Sequence, residues 1–325
     1  MPPLVRKCAT AAVLVWLVLT LTFALVHAAP GDAVQLLVPP GASPAAEARL
    51  RATFGLDAPI GVQYARWLGA TLTGNLGESF AQRRPVTAVV GDALPVSLGL
   101  GAVSLLLTYL VGVALGTWQA SRRGATDTAI TIATTAVAAS PGFWLGLAAI
   151  ALFTHGAAAW GAPAWLRLPA FGLRAAGSEA GGIGALGDIA RHAILPVLVL
   201  SAIGAAGVAR YARASAVALW PMDFVRTARA KGASPARVQW RHLFANALPP
   251  LVVLFALALP GVVAGSVFVE SVFAWPGMGR ALVQAIAARD LPVVLASTTM
   301  YAVLVIGANL AADLLLPALD PRRRR

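Results

Sequence analysis

The sequence has few of the residues that disulfide and metal chemistry use. It contains a single cysteine, Cys8, in 325 residues. That number excludes an intrachain disulfide and leaves no cysteine pair for a zinc site. The four histidines fall in separate segments and form no spaced metal-binding motif: His27, His155, His192 and His242. We therefore expect this chain to hold no metal.

Motifs for nucleotide and hydrolytic chemistry are also missing. The two lysines, Lys7 and Lys231, are not followed by Ser or Thr, so there is no phosphate-binding loop of the G-x-x-x-x-G-K-[ST] type. H-E-x-x-H and G-x-S-x-G do not occur either. Ser201 and Ser266 lie in apolar segments without a catalytic context, and we expect them to hydrogen-bond to helix backbone. An intramembrane enzyme is therefore disfavoured, and any ATP must be hydrolysed on another chain.

Charged residues are scarce, and acidic ones most of all. Only 12% of the residues are charged and 58% are hydrophobic, whereas a soluble domain carries about 25% charged residues. The 13 acids are outnumbered by 25 Lys and Arg, for a net charge of +12. No basic stripe is interleaved with aromatic residues, as nucleic-acid binding would require. The composition therefore indicates a polytopic membrane protein without a nucleic-acid partner.

Six apolar runs are long enough to cross a bilayer, which takes about 20 residues. They predict an all-α membrane protein with about six transmembrane helices. Pairs of glycines four residues apart predict close helix packing in three runs, and two prolines are expected to kink or bound their helices. The runs are 9–29, 94–118, 128–154, 190–211, 248–272 and 292–316; the pairs are Gly112/Gly116, Gly142/Gly146 and Gly261/Gly265; the prolines are Pro196 and Pro260.

The basic residues predict the orientation. If the N-terminus is cytoplasmic, fifteen of the 25 Lys and Arg fall on that side, including Arg122, Arg123 and the tail Arg322 to Arg325. Both termini are then cytoplasmic. An alternative is that the first run is a cleaved signal peptide ending near "ALVHAAPGDA". Retention is favoured because about 20 residues is long for a signal core.

The runs divide the chain into four parts. We predict a cytoplasmic N-terminus with the first helix (1–29), an extracytoplasmic segment (30–93), a five-helix core (94–316) and a basic cytoplasmic tail (317–325). "AEARLRATFGL" in the second part has a helical pattern, whereas the Gly-, Ala- and Pro-rich residues 155–189 indicate an irregular loop. The core includes a cytoplasmic loop at 212–247.

That loop contains a basic, helix-forming segment, "DFVRTARAKGASPARVQWRHLFANALPP" (223–250). Pro221 can start a first helix, Gly232 can end it, and Ser234 with Pro235 can cap a second one. We call residues 223–247 the elbow. The second helix is predicted to run into the fifth apolar run through Trp240, Leu243, Phe244, Ala247 and Leu251. A loop that only fixes topology or touches anionic lipid is the alternative.

The elbow resembles the EAA loop of binding-protein-dependent ABC transporter permeases, in the form seen in the oligopeptide and dipeptide branch. "TARAKG" (227–232) and "NALPP" (246–250) carry the resemblance. Arg226 and Thr227 replace the acid and the second position of the family motif, as is common in the peptide branch. Further matching blocks extend over most of the chain: "FGLDAPIGVQYARWLGATLTGNLGESF", "RRPVTAVVGDALPVSL", "SPGFWLG", "HAILPVL", "ESVFAWPGMGRALVQAIAARDLPVV" and "DPRRR".

The resemblance implies a channel-forming subunit of a bacterial inner membrane that translocates peptides. It implies a second homologous permease subunit as partner, cytoplasmic ATPase subunits that carry ATP and Mg, and an extracytoplasmic solute-binding protein. This chain would bind no cofactor of its own. The resemblance assigns ATPase docking to the elbow as a whole rather than to one salt bridge: Arg226, Thr227, Ala228, Arg229, Ala230, Lys231, Gly232, Ser234 and Pro235.

Two other functions stay open from the sequence. The same branch includes permeases for nickel and other small solutes, and the substrate cannot be chosen from the residues. An ion-coupled secondary transporter is less favoured, because Glu270 and Asp313 are the main acids within the runs and both lie near run ends. Glu270, Trp275 and Arg289 are interpreted as loop structure rather than as a transport pathway.

Overall fold

The computed structural model describes residues 3–28, 43–53, 57–122, 124–177, 181–264 and 267–319. Arg123, Gly265, Ser266, residues 30–42 and the tail Arg322 to Arg325 lie outside the described residues. The described part is helical, with an isolated antiparallel bridge between Glu78 and Pro85. Its helices are α1 Pro3–Ala28, α2 Pro44–Thr53, α3 Ile60–Leu72, α4 Val86–Gln119, α5 Ala125–Ala139, α6 Gly142–Ile150, α7 Ala157–Ala159, α8 Gly182–Leu219, α9 Asp223–Ala230, α10 Pro235–Arg237, α11 Phe244–Ala264, α12 Val267–Val272, α13 Met278–Ala287 and α14 Leu291–Leu319.

Five described helical segments are long and apolar enough to span a membrane. A sixth span is formed if the bent pair Pro235–Ala247 and Pro249–Val262, with 54° between its parts, is counted as one. The bend falls at Pro249 and Pro250, where proline removes a backbone donor and crowds the preceding turn. The predicted all-α polytopic class, with about six spans, is confirmed.

The third predicted span is not one helix. α5 ends at Ala139, Ser140 has an extended backbone with ψ 135°, and α6 begins at Gly142. Pro141 explains the break, because its ring disfavours helical backbone in the preceding residue and its nitrogen has no hydrogen to donate. A π-helical turn, Ala151–Gly156, then connects α6 to α7, and the apolar segment reaches Ala159.

Two other boundaries differ from the prediction. α4 begins at Val86 and α8 at Gly182, both earlier than their apolar runs. The predicted loop 155–189 is therefore helical at both ends, and its irregular part is shorter than expected. Hydropathy locates only the part of a helix that lies in the hydrocarbon layer. The polar ends of a longer helix cannot be recognised from it.

The chain divides into two compact units. The first comprises Met1–Ser97 and Pro276–Leu310. Its core joins the start of α4 to α13 and α14 through buried Val86, Val89, Met278 and Val293. Burial of these apolar side chains stabilises this unit.

Asp290 links two loops of the first unit. This carboxylate is buried and accepts hydrogen bonds from the Ser79 hydroxyl at 2.5 Å and from the backbone N–H groups of Phe80 and Ala81 at 3.1 Å. The preceding residue, Arg289, has φ 50°, which turns the chain into α14. The backbone of Arg289 therefore shapes this turn, and the interpretation that its side chain lies outside a transport pathway stays a prediction.

The second unit comprises Leu98–Trp275 and Ala311–Arg325. In it α4 packs closely on α8 at Gly112 and Gly116. A Cβ at Gly112 would lie 2.9 Å from the Ala205 carbonyl oxygen, and one at Gly116 would overlap the Ala209 carbonyl. The predicted packing role is confirmed for this pair.

The other glycine pairs differ. A Cβ at Gly142 or Gly146 would contact Ile203 or Val272 at 3.4 and 3.1 Å, so these glycines also lie in packed positions. A Cβ at Gly261 would meet no described atom within 4 Å, and Gly265 lies outside the described residues, so close packing at this pair stays a prediction. The predicted role of Ser201 is confirmed, because its hydroxyl donates to the Ser104 carbonyl at 3.1 Å.

Candidate functional site

The first arm of the elbow is α9, which ends in a glycine bend. Gly232 has φ 79°, a left-handed conformation that glycine adopts without strain. The N–H of Ala233 donates to the carbonyl of Ala228 at 3.1 Å and the N–H of Gly232 to that of Arg229 at 2.9 Å. This pair of bonds is the Schellman motif, and it satisfies carbonyls that the helix end would leave unpaired. The predicted stop at Gly232 is confirmed.

The start of the first arm differs from the prediction. Met222 is extended, with φ −71° and ψ 150°, and the helix begins at Asp223 rather than at Pro221. The Met222 carbonyl accepts the first helical bond, from Val225 at 3.0 Å. Pro221 therefore belongs to the turn that follows α8.

The second arm begins at the predicted cap. The Ser234 hydroxyl accepts from the N–H of Arg237 at 3.3 Å, and Pro235 occupies the first turn. The helix continues through a π-helical turn, Val238–Leu243, directly into α11. Leu243, Ala247 and Leu251 are buried, whereas Trp240 is 47% exposed. The predicted apolar face is therefore confirmed except at Trp240.

One face of the elbow is anchored inside the second unit. Val225, Ala228, Val238 and Leu243 form a buried cluster between the two arms. Burial of apolar side chains stabilises by about 25 cal/mol per Å². Because these side chains come from both arms, their burial holds the arms together. Ala228, one of the predicted docking residues, is internal to the elbow rather than part of its surface.

Two polar side chains tie this face to the end of α4. The indole N–H of Trp220 donates to the Ala120 carbonyl at 3.0 Å, and the amide of Gln239, itself buried, donates to the Thr117 carbonyl at 3.3 Å. Both acceptors lie in the last turn of α4 or just after it, where helix carbonyls lack intrahelical partners. Gln239 therefore fixes the elbow itself to α4, and Trp220 fixes the turn between α8 and the elbow.

The opposite face is exposed. Eight of the nine predicted docking residues are exposed, and one of them, Arg229, stacks its guanidinium on Trp220 and lines a cavity beside the end of α4. Arg226 forms only a long contact with Asp223, 3.7 Å between Nη1 and Oδ1, and exposed pairs of this kind contribute little stability. The exposed residues are Arg226, Thr227, Arg229, Ala230, Lys231, Gly232, Ser234 and Pro235.

An ion pair connects α5 to α8 beside the elbow. Arg213 donates to the Asp127 carboxylate from Nη2 at 2.6 Å and from Nε at 2.8 Å, and the Gln119 amide donates to the same carboxylate at 2.9 Å. The Arg213 hydrogen bonds, and then that from Gln119, hold the pKa of Asp127 below its usual value. Asp127 therefore stays ionised at neutral pH.

Sequence reasoning did not find Trp220, Gln239 or Asp127. Trp220 and Gln239 make single bonds to distant backbone carbonyls, for which a sequence carries no signal. Asp127 had one available signal, since it is an acid at the predicted cytoplasmic end of a span and Arg213 lies at the same end of another. Within the described residues, no three His, Cys, Asp or Glu side chains form a cluster that could hold a metal ion.

An all-α chain whose described part has five or six helices long and apolar enough to span a membrane is of the multi-pass membrane class. The family described as "Binding-protein-dependent transport system inner membrane component" matches residues 109–325, and its N-terminal companion, "Binding-prot-dependent transport system membrane comp, N-term", matches residues 1–101. The chain therefore belongs to the family of binding-protein-dependent transport system inner membrane components.

Similar proteins cover almost the whole chain. The oligopeptide transport system permease protein AppB of Bacillus subtilis is 36% identical over 304 residues, which is 93% of this chain and 92% of AppB. The di/tripeptide transport system permease protein DppB of Pseudomonas aeruginosa is 36% identical over 314 residues, 94% of this chain and 93% of DppB. A putative peptide permease protein of Brucella ovis is 34% identical over 306 residues, with 93% and 92% covered.

Proposed function

We propose that this chain is the membrane-spanning permease subunit of an ABC importer for peptides, and that the elbow is the surface on which a separate ATPase subunit docks. The peptide assignment is supported by the names of the similar proteins, which describe oligopeptide and di/tripeptide permeases. The docking assignment depends on one observation: the elbow is anchored to the transmembrane helices on one face and exposed on the other. A surface of that kind transmits force from a partner into the helices.

The energy source lies on partner chains in this proposal. The sequence has no phosphate-binding loop, so ATP and Mg bind the ATPase subunits, and this chain itself has neither a cofactor nor an enzymatic activity. A second homologous permease subunit completes the passage, and a solute-binding protein delivers peptide from outside. Alternating access then follows from ATPase closure, which favours one of two arrangements of the helices.

The proposed orientation places the elbow and both termini in the cytoplasm and residues 30–93 outside. The distribution of Lys and Arg among the connecting segments supports it. Docking requires this orientation, because ATP is available only on the cytoplasmic side.

Site-directed cross-linking tests docking and orientation together. Cys8→Ser removes the single cysteine, and Thr227→Cys then places a thiol on the exposed face of the elbow. The matched control is Ala164→Cys, which is exposed in the predicted outside loop. We expect Thr227→Cys to cross-link to the ATPase subunit and to react with an impermeant thiol reagent only in inside-out vesicles. Ala164→Cys should show neither property and should react in right-side-out vesicles. The reverse labelling pattern would refute the orientation, and no cross-link from Thr227→Cys would refute docking there.

Transport assays test the substrate and the need for partners. Vesicles that hold both permease subunits, the ATPase and the binding protein should accumulate labelled dipeptide or oligopeptide when ATP is supplied inside. Vesicles with the permease subunits alone should not, whatever ion gradient is applied. Uptake of nickel but of no peptide would overturn the peptide assignment, and gradient-driven uptake without the ATPase would overturn the proposal as a whole.

A further inference from the structure

A cavity of about 680 Å³ lies where three helices of the second unit end. Its walls come from the residues after α4, the first turn of α5, the last turns of α8 and the first arm of the elbow. The arginines Arg122, Arg213 and Arg229 line it together with the single acid Asp127. The described lining is therefore cationic, at a place where apolar helices end.

Only two of the three arginines carry charge that is not already compensated. Arg213 is paired with Asp127 through two hydrogen bonds, so that pair is neutral as a whole. Arg122 and Arg229 form no ion pair with any residue that the structure describes. The acid nearest to Arg229 in the first arm, Asp223, contacts Arg226 instead.

Both unpaired guanidinium groups are held in place by tryptophan rings. Arg122 Cζ lies 4.8 Å from the centre of the Trp118 ring, and Arg229 Cζ lies 4.7 Å from that of Trp220. Trp220 is itself fixed by its indole hydrogen bond to the Ala120 carbonyl. Stacking on a ring positions a guanidinium but does not neutralise it, and its in-plane N–H groups stay free to donate.

The location and chemistry of this cavity fit an anionic lipid headgroup. The ends of apolar helices mark the membrane interface, where tryptophan is enriched and where clustered arginines attract anionic lipid. A phosphate group accepts hydrogen bonds in the fork geometry that guanidinium offers. We propose that the cavity binds the phosphate of an anionic phospholipid, held by Arg122 and Arg229. The inference requires that the chain is a membrane protein, and it does not require docking of an ATPase to the elbow.

Bound lipid would connect the end of α4 to the first arm of the elbow. Arg122 follows α4 and Arg229 lies in α9, so one phosphate between them adds a link parallel to the Trp220 hydrogen bond. The lipid composition of the membrane would then influence how firmly the elbow is held.

The test measures binding of short-chain phosphatidylglycerol to the purified full-length chain in detergent, with phosphatidylcholine of the same chain length for comparison. An arginine at an anionic surface contributes about fivefold in affinity. We therefore expect Arg122→Gln to weaken phosphatidylglycerol binding about fivefold, and the double variant with Arg229→Gln about 25-fold. Phosphatidylcholine binding should not change.

Matched variants separate a defined site from general charge attraction. Arg241→Gln removes the same charge from an exposed position that does not line the cavity, and it should leave binding nearly unchanged. Arg122→Lys keeps the charge but loses the planar fork and the stacking on Trp118, so it should recover only part of the affinity that Arg122→Gln loses. Helix content and melting temperature in detergent should stay at wild-type values in all four variants.

Three results would overturn the proposal. Equal losses in Arg241→Gln and Arg122→Gln would show that only overall charge matters. Equal binding of the two lipids by the wild-type chain would show that the cavity does not recognise an anion. Displacement of phosphatidylglycerol by inorganic phosphate or glycerol phosphate at the same concentration would identify a soluble anion as the ligand.

Discussion

The bend at Gly232 gives the sharpest test of the elbow. Its backbone has φ 79°, and no described atom lies within 4 Å of the position where a Cβ would be placed. A side chain therefore has room there, and the penalty for a substitution is a backbone penalty. For an L-residue this conformation costs about 1–3 kcal/mol, and β-branched residues are at the unfavourable end. Gly232→Val should thus shift the equilibrium between bent and unbent elbows by a factor of roughly 5–150.

The assay compares uptake with ATP hydrolysis in vesicles that hold the complete transporter. We expect Gly232→Val to insert and assemble normally but to move at least fivefold less peptide per ATP hydrolysed, because part of the ATPase movement is lost in an elbow of the wrong shape. Gly232→Asn is the matched control, since asparagine also adds a side chain but tolerates the left-handed region. A wild-type ratio of uptake to hydrolysis in Gly232→Val would refute the reasoning. Equal defects in both variants would show that bulk, and not backbone conformation, is responsible.

Three further predictions concern stability, measured as thermal unfolding of the purified chain in detergent. Gly116→Ala should lower the free energy of unfolding by about 1–3 kcal/mol, because the added Cβ overlaps the α8 backbone. Gly99→Ala lies in the same helix with open space around it and should not destabilise the chain. Equal effects of the two substitutions would contradict the packing of α4 on α8. Asp290→Ala should lower the free energy of unfolding by about 1–3 kcal/mol for each buried donor that it leaves unpaired. An unchanged melting temperature would contradict the link that Asp290 makes to the loop at Ser79. The wild type should be more stable than Asp127→Asn above about pH 4, where the carboxyl of the unfolded chain ionises. This difference in stability should disappear as the pH falls through the lowered pKa that Asp127 has in the folded chain. A difference that persists in acid would contradict the ion pair.

Local signals in the sequence predicted the elbow because its shape is decided locally. Gly232 ends a helix by its own backbone freedom, and Ser234 with Pro235 starts one through bonds within three residues. The start at Pro221 was wrong because Met222 has an extended backbone, so α9 begins only after it, at Asp223. Spans were predictable as apolar runs, although Pro141 breaks one of them where uniform hydropathy hides the break.

Long-range polar contacts could not be predicted in the same way. Ser79 and Asp290 are 211 residues apart in sequence, and neither belongs to a periodic pattern that would point to the other. Asp127 and Arg213 were recognisable only as opposite charges at the same predicted side of the membrane. Apolar periodicity places faces of helices, whereas a hydrogen bond requires two particular atoms to meet, and that meeting depends on the whole packing of the unit.

The contacts that attach the elbow determine which helices receive a force applied to it. Gln239 of the second arm and Trp220, which precedes the first arm, both bond to carbonyls at the end of α4, so neither can move away from α4 without breaking a buried or part-buried hydrogen bond. α4 is in turn packed against α8 at Gly112 and Gly116, where the two backbones lie too close to admit even a Cβ. Close packing transmits displacement rather than absorbing it. A force on the exposed arm of the elbow therefore acts on α4 and α8 together, and these two helices are the ones whose movement should accompany transport.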